Sequence, residues 1–599
     1  MSVRSSSLLF ACVVMGLIPA IGGAQTDVTS FRNTALSVHY VGSRVCAGCH
    51  SQIYSSYVKT GMGRSIISGG DATLREKLPV PATVFDQDAG EYYEVFRKDG
   101  ELYQSQYAID SEGKELFRQT FPLAYAVGAG ENGFGFIVRR GNYLFEAPLT
   151  YYTKSHIWGF SPGYENRNYA FTRPILAQCI SCHSGRPQPV ANGVGAYRDP
   201  PLTELAIGCE NCHGPGALHV SERQAGRPLN GPIDASIVNP RRLSGYLSDN
   251  ICMKCHQGED ARIEQPGKTV DDFRPGTRLD NVLAIFKVPV SRGSSSRDVL
   301  LAHYFSMTLS KCYRSSAGAL RCTTCHNPHI AQAGIEAASY YRTKCLNCHA
   351  EDACKIRLEE RRKTNPPDDC ASCHMPKRTV TTITHAALTD HWIHAKPDEP
   401  LPDGAFGSSA ESRSGLLVVT APPGDNQPDI PPVTLLQAWA SLIHDGHAEF
   451  RPKMNALLDR LARESPRDPR VLSELGRRAS ADQTPASRAQ AVRYFERALQ
   501  LGSAAPDDLL MLAGLYGREH RNADAIRVLE KGAQTNPYTR EFSDALAAQY
   551  IALGQYGRAL DVIHQGLKTF PDDVTLRLLE KKVKAATLDG ALLSKEPLP

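Results

Sequence analysis

The chain has 599 residues, with 67 Lys and Arg against 63 Asp and Glu, 42% hydrophobic and 22% charged residues. That composition is ordinary for folded protein and excludes a wholly disordered chain, while the length predicts roughly three to five domains of about 100–200 residues. A net charge of +4 is too balanced for a general nucleic-acid binder, and beyond the N-terminus no apolar run reaches the ~18 residues of a membrane span.

Residues 1–24 read as a secretory signal peptide. Arg4 precedes an apolar run from Leu8 to Ile21, and the small residues Gly22, Gly23 and Ala24 follow, with cleavage predicted after Ala24. The run is short and broken by Pro19, which argues against a retained membrane anchor. On this reading the protein is exported and periplasmic.

The 17 cysteines are not scattered. Seven Cys-x-x-Cys-His strings occur, where random placement would give about 0.015. The segment 36–74 carries the first, Cys46, Cys49 and His50. Residues 75–170 are free of cysteine and read as a small inserted antiparallel β unit. EYYEVF and LYQSQYAI form a predicted hairpin about Asp99-Gly100, and GFIVRRGNYLFEAPLTYY alternates similarly around Arg140-Gly141-Asn142.

Residues 171–395 hold the other six strings. They are Cys179, Cys182, His183; Cys209, Cys212, His213; Cys252, Cys255, His256; Cys322, Cys325, His326; Cys345, Cys348, His349; and Cys370, Cys373, His374. The intervening segments are short, rich in Gly and Pro, and predict only short helices. Residues 396–432 read as a proline-rich linker with one short strand at Leu416–Val419. A linker of this kind predicts that the C-terminal region stands apart from the cysteine-rich module.

Beyond the linker the apolar period becomes helical and a repeat appears. Leu512-Ala513, Tyr516, Ala525, Leu529, Gly532 and Pro537 recur 34 residues later as Leu546-Ala547, Tyr550, Ala559, Ile563, Gly566 and Pro571. A 34-residue period with this small, aromatic and proline spacing is the tetratricopeptide signature. Residues 433–590 predict about four helix pairs closed by a charged last helix.

Cys-x-x-Cys-His is the attachment signal for c-type haem: two thiols add across the vinyl groups and the adjacent His reaches the iron. Structural zinc is the competing reading of paired cysteines, but it needs no His directly after every second Cys. Seven covalent haems are therefore expected, with His50, His183, His213, His256, His326, His349 and His374 as proximal iron ligands. The sixth ligand decides the chemistry. Two strong axial ligands restrict a haem to electron transfer, and an open face admits a substrate. The distal candidates are His219, His303, His329, His385 and His391, then His39, His156 and His394, with Met62 as a further candidate for the first haem. Motif one stands apart in sequence and is expected at an end of the haem row. Cys312 and Cys354 remain as either a disulfide or two free thiols.

VCAGCH with TGMGRS, LFEAPLTYY with WGFSPGYE, CENCHGPGALHV, KCYRSSAGALRCTTCHNPH, and CASCHMPKR with LTDHW together resemble the multihaem c-type cytochrome superfamily, in the subgroup fused to C-terminal tetratricopeptide repeats. These strings span about residues 40–395, and the repeats cover most of the rest. The resemblance implies mostly bis-histidine ligation and closely stacked haems. The Cys-x-x-Cys-Lys variant that marks the catalytic haem of the related pentahaem nitrite reductases is absent, which argues against that activity. The expected fold is multidomain: a loop-rich, mostly α multihaem module with the inserted β unit, then an all-α repeat solenoid. The expected function is electron transfer along a row of haems, with redox partner proteins and a protein or peptide on the repeat surface. Membrane association would come only through a partner. The alternatives are an oxidoreductase with one open-faced haem acting on a small nitrogen or sulfur species, and a repeat scaffold with structural or sensory haems.

Overall fold

The computed structural model describes residues 31–593 except 165–167, 192, 230, 259, 292–302, 333, 380–386, 397–398, 407–413 and 426–427. The signal-peptide segment and His385 lie outside the described residues. Among the described residues no helix is long and apolar enough to cross a membrane. The chain combines short helices, small antiparallel sheets and a C-terminal run of long helices.

Alternation builds the largest sheet. It comprises β1 (Ile66–Ser68), β2 (Ala82–Asp86), β3 (Glu91–Lys98), β4 (Glu101–Ile109), β5 (Glu115–Val127), β6 (Gly135–Arg140) and β7 (Tyr143–Glu146). β2 to β7 lie in sequence order, and β1 pairs with β5. Inward positions such as Tyr93, Val95, Leu102, Phe136 and Val138 form its core. Lys98 pairs with Glu101 across Asp99-Gly100, whose φ values of 52° and 84° are those of a two-residue turn matching strand twist. Arg140 likewise pairs with Tyr143 across Gly141-Asn142. The sheet begins before residue 75, because Ile66 pairs with Val127 on the free side of β5.

The haem-motif region has a second core. Phe31, ahead of motif one, packs there with Val238, Leu247, Met253, Leu279, Ile285, Tyr304 and Trp392, which come from segments between motif three and the stretch just after motif seven.

From Pro432 the described residues form nine helices, Pro432–His444, Arg451–Glu464, Pro469–Ala481, Pro485–Gln500, Pro506–Arg518, Asn522–Thr535, Arg540–Ala552, Tyr556–Thr569 and Val574–Leu593. Proline in the first turn of several of them costs no hydrogen bond, since those N–H groups have no partner within the helix. The repeated glycine has a packing reason: a Cβ on Gly532 would lie 2.1 Å from the Phe542 ring of the next helix.

The repeats do not stand apart. The strand Leu417–Val418, within the segment read as a linker, pairs with Phe286–Lys287 of the haem module. Phe286, Ala284 and Leu416 share one core with Val433, Leu436, Trp439 and Leu442 of the first repeat helix. The stretch 414–420 contains no proline, so its N–H groups can join the ladder, and here the strand splices the two regions. A second contact lies at the far end of the solenoid. Tyr538 packs edge-on against Tyr143 and Phe145 of β7 at 4.9 and 4.7 Å, and the Arg140 guanidinium lies 4.5 Å from the Tyr538 ring centre.

Within the repeats, the Asp544 carboxyl is pushed up to about 7 by burial and by Asp573, against the pull of Arg540. Its Oδ1 is buried without a hydrogen-bond partner. A raised folded-state value means stability that is full below about pH 4, the unfolded range, and is lost as pH rises through about 7. Asp544→Asn removes that loss. Melting curves are expected to coincide with wild type near pH 4 and to lie about 2–4 °C higher at pH 8, for a gain of about 1 kcal/mol. Equal melting at pH 8 would contradict the burial argument.

Candidate haem sites

Helical backbone explains the motif spacing. In motifs one, three, five and six the His N–H donates to the carbonyl of the first Cys, at 2.9 to 3.0 Å. This closes one helical turn, so both thiols and the imidazole project from neighbouring positions of a single turn. A porphyrin edge can then meet the thiols while the imidazole reaches its centre.

Several rings are oriented by their Nδ1 atoms. His213 donates to the Val238 carbonyl at 2.8 Å, His374 to the His394 carbonyl at 2.6 Å, and His391 to the Thr389 carbonyl at 3.0 Å. A carbonyl only accepts, so Nδ1 carries the proton and Nε2 keeps its lone pair for a metal. The His219 Nδ1 is held by Ser236 and Asp234, each at 3.1 Å. Burial, with His391 adding, pushes His303 down to about 3 and His326 to about 4, so both are neutral donors at physiological pH.

Four motif histidines face a second imidazole. His50 faces His219 at 6.4 Å between ring centres, His213 faces His329 at 6.0 Å, His256 faces His303 at 5.8 Å, and His326 faces His391 at 6.2 Å. Two metal–nitrogen bonds of about 2 Å, with about 1 Å more from each nitrogen to its ring centre, place two rings across one ion at about 6 Å. The donor set and spacing therefore fit a haem between each pair.

The other candidates are placed differently. His39 is exposed, and its carbonyl accepts from Ala217. His156 is exposed at φ 55° in the hairpin between Leu149–Tyr152 and Ile157–Phe160. The His394 ring packs on Trp392 and contacts Asp390 at 3.3 Å, and its carbonyl accepts from the His374 Nδ1. Met62 lies in a turn tied to motif two rather than motif one. The Ser65 hydroxyl is 2.8 Å from the Met62 carbonyl and 2.5 Å from the His183 carbonyl, and Ile66 packs with Ile180. Sequence places Met62 after motif one, but the chain there crosses directly to motif two.

Thiols of different motifs also meet. Cys46 lies close to Cys209, Cys182 to Cys255, Cys252 to Cys322, and Cys345 to Cys370, near enough for their sulfurs to interact. These contacts, invisible in sequence, relate motifs one to three, two to four, four to five and six to seven. The His303 and His391 rings touch at 4.3 Å, an independent link between motifs four and five. Among the described residues no cysteine is in a disulfide, Cys312 and Cys354 included, and no three His, Cys, Asp or Glu side chains converge as a metal-ion cage.

No family profile matches the chain. Over 182 residues it is 26% identical to the multiheme cytochrome MtrA of Shewanella baltica (strain OS185), covering 29% of this chain and 52% of that protein. Over 195 residues it is 26% identical to the dissimilatory sulfite reductase MccA of Wolinella succinogenes, covering 28% of this chain and 22% of that one. The chain thus spans about half and about a fifth of these relatives' lengths. The crystal structure of the outer cell wall cytochrome OcwA aligns with 77% of this chain and 99% of its own at 15% identity, with a TM-score of 0.34. Over its motif-bearing region the chain is thus similar to multihaem cytochromes. It carries tetratricopeptide repeats at its C-terminal end.

Proposed function

We propose that the chain is an exported heptahaem electron-transfer cytochrome whose repeats dock a partner protein. The observation that carries this reading is the set of four imidazole pairs at 5.8 to 6.4 Å beside Cys-x-x-Cys-His motifs. When bound, each haem supplies a one-electron iron couple. The chain supplies an imidazole on each face at four motifs, which leaves no room for substrate there and favours transfer alone.

The thiol contacts support an order that differs from the sequence. Motif one joins three, four joins five and six joins seven. Cys212 lies near Cys252, and Cys325 near Cys348, which relates three to four and five to six. The resulting line is one, three, four, five, six, seven, with motif two attached at four. A thiol bonded to a vinyl carbon marks a porphyrin edge, so touching thiols bring porphyrin edges together. Motif one is then an end of the line, as its isolation in sequence suggests.

The repeats touch the β unit through the turns around 536–540 and 569–573. Repeat solenoids present an extended surface suited to a protein or peptide, and this is the docking role we assign.

Replacing Cys179 and Cys182 by alanine is expected to lower the intact mass by one haem, while alanine at Cys312 or Cys354 leaves it unchanged. A wild-type mass below seven haems, or no loss in the first variant, would overturn the heptahaem reading.

A further inference from the structure

The paired imidazoles differ in what holds the far side of the ring. The His213 Nδ1 donates to the Val238 carbonyl, the His391 Nδ1 donates to the Thr389 carbonyl, and the His326 Nδ1 meets the Tyr341 hydroxyl at 3.2 Å. These partners are neutral. At motif one the ring facing His50 is His219, and a carboxylate stands behind it. The Asp234 Oδ2 lies 3.1 Å from the His219 Nδ1, and the Ser236 Oγ lies at the same distance.

The protons of this group follow from what each atom can do. Ser236 donates its one hydroxyl proton to the Asp234 Oδ1, since a carboxylate only accepts. The Ser236 oxygen then accepts from His219, so Nδ1 carries the ring proton and Nε2 is left for the iron. Asp234 is itself fixed, because its Oδ1 also accepts from the Ser236 N–H at 2.9 Å. Arg223 is shared between the Asp234 and Glu222 carboxylates, at 3.7 and 3.8 Å. Glu222 is further engaged by Arg32 at 2.7 Å and Arg227 at 3.7 Å. Arg223 thus offsets only part of the Asp234 charge.

An anion behind Nδ1 draws on the ring proton and makes Nε2 the stronger donor. A stronger donor stabilises ferric over ferrous iron and lowers the reduction potential. The next pair has a neighbour of opposite sign: the Arg241 guanidinium lies beside His329, which faces His213. The two pairs adjoin, since His213 lies near both His50 and His219.

From this contrast we infer that Asp234, acting through His219, holds the haem of motif one below that of motif three in potential, so that an electron reaching motif one runs on to three. Asp234 is a positioning residue in this role, because it touches the ligand and not the iron. The inference rests on the proposed haem line and gives it a direction, with motif one as the entry end.

Mass mapping of the haem-bearing peptides separates the two readings. Fewer than seven haems, with one present at Cys46 and Cys49, refutes the heptahaem reading alone; no haem at Cys46 and Cys49 overturns this inference. Spectroelectrochemical titration of the holoprotein then compares wild type with Asp234→Asn, which removes the charge at little change in shape. One midpoint is expected to rise enough to change the ratio of reduced to oxidised haem at fixed poise about tenfold, about 59 mV for one electron. Asp234→Glu, which restores the charge, is expected to stay near wild type. Unchanged midpoints in Asp234→Asn, or an equal rise in Asp234→Glu, overturn the assignment. Should these variants fail to load haem one, variants lacking a single haem decide. The midpoint lost with Cys46→Ala, Cys49→Ala is expected to lie below that lost with Cys209→Ala, Cys212→Ala, and the reverse order overturns the inference.

Discussion

Trp439→Ala is expected to destabilise the whole holoprotein by about 3–5 kcal/mol, the cost of truncating a large buried aromatic side chain. Trp439 is 4% exposed and sits on the first repeat helix. Its neighbours in the core include Phe286, in the sheet joining the haem module to the segment before the repeats, and Leu416, next to the strand that completes that sheet. Its indole N–H also donates to the Ser414 carbonyl at 3.2 Å. The cavity would therefore open at the seam between the two regions. Denaturation followed by the Soret band and by far-ultraviolet circular dichroism should shift together. A Soret transition that stays at the wild-type midpoint while the helical signal moves would show that the regions unfold independently. For the same reason, removal of residues 433–599 should expose Phe286, Ala284 and Leu416 and impair haem loading. A truncated protein with an unchanged haem spectrum would reinstate the linker reading of 396–432.

Replacing both Cys252 and Cys255 by alanine should have the largest effect on electron movement. Motif four is the junction of the proposed line, touching motif two through Cys255 and motif five through Cys252. Without its haem, motifs one and three are cut off from five, six and seven. After a pulse of reductant, wild type and the six-haem variant lacking haem two should equilibrate in one phase. The variant lacking haem four should show two, with a slow second phase. Intact mass confirms that six haems remain in each variant. One fast phase in the motif-four variant would refute the branched order. Because the Gly245–His256 helix also contributes Leu247, Ile251 and Met253 to the core, Soret-monitored stability should be measured beside the kinetics.

Local features were legible because their causes are local. The hairpin at Asp99-Gly100 comes from alternation and a turn pair that tolerates positive φ. The repeat register comes from glycines that admit an aromatic ring of the next helix, as at Gly532. The haem motifs come from the geometry of one helical turn, which needs only the spacing of Cys, Cys and His. The sequence by itself therefore determined the cofactor class, the inserted β unit and the repeat architecture. Partnership across the fold was not legible. His219 faces His50 across 169 residues of sequence, and His303, His329 and His391 face their partners only because the core of motifs three to seven brings distant segments together. Met62 comes after motif one in the chain yet is fixed beside motif two by Ser65, and the proline-rich segment that reads as a spacer pairs as a strand. Spacing encodes what a single turn can hold. Which imidazole faces which motif histidine, and which motifs lie side by side, is set by long-range packing, and only the tertiary structure decided it.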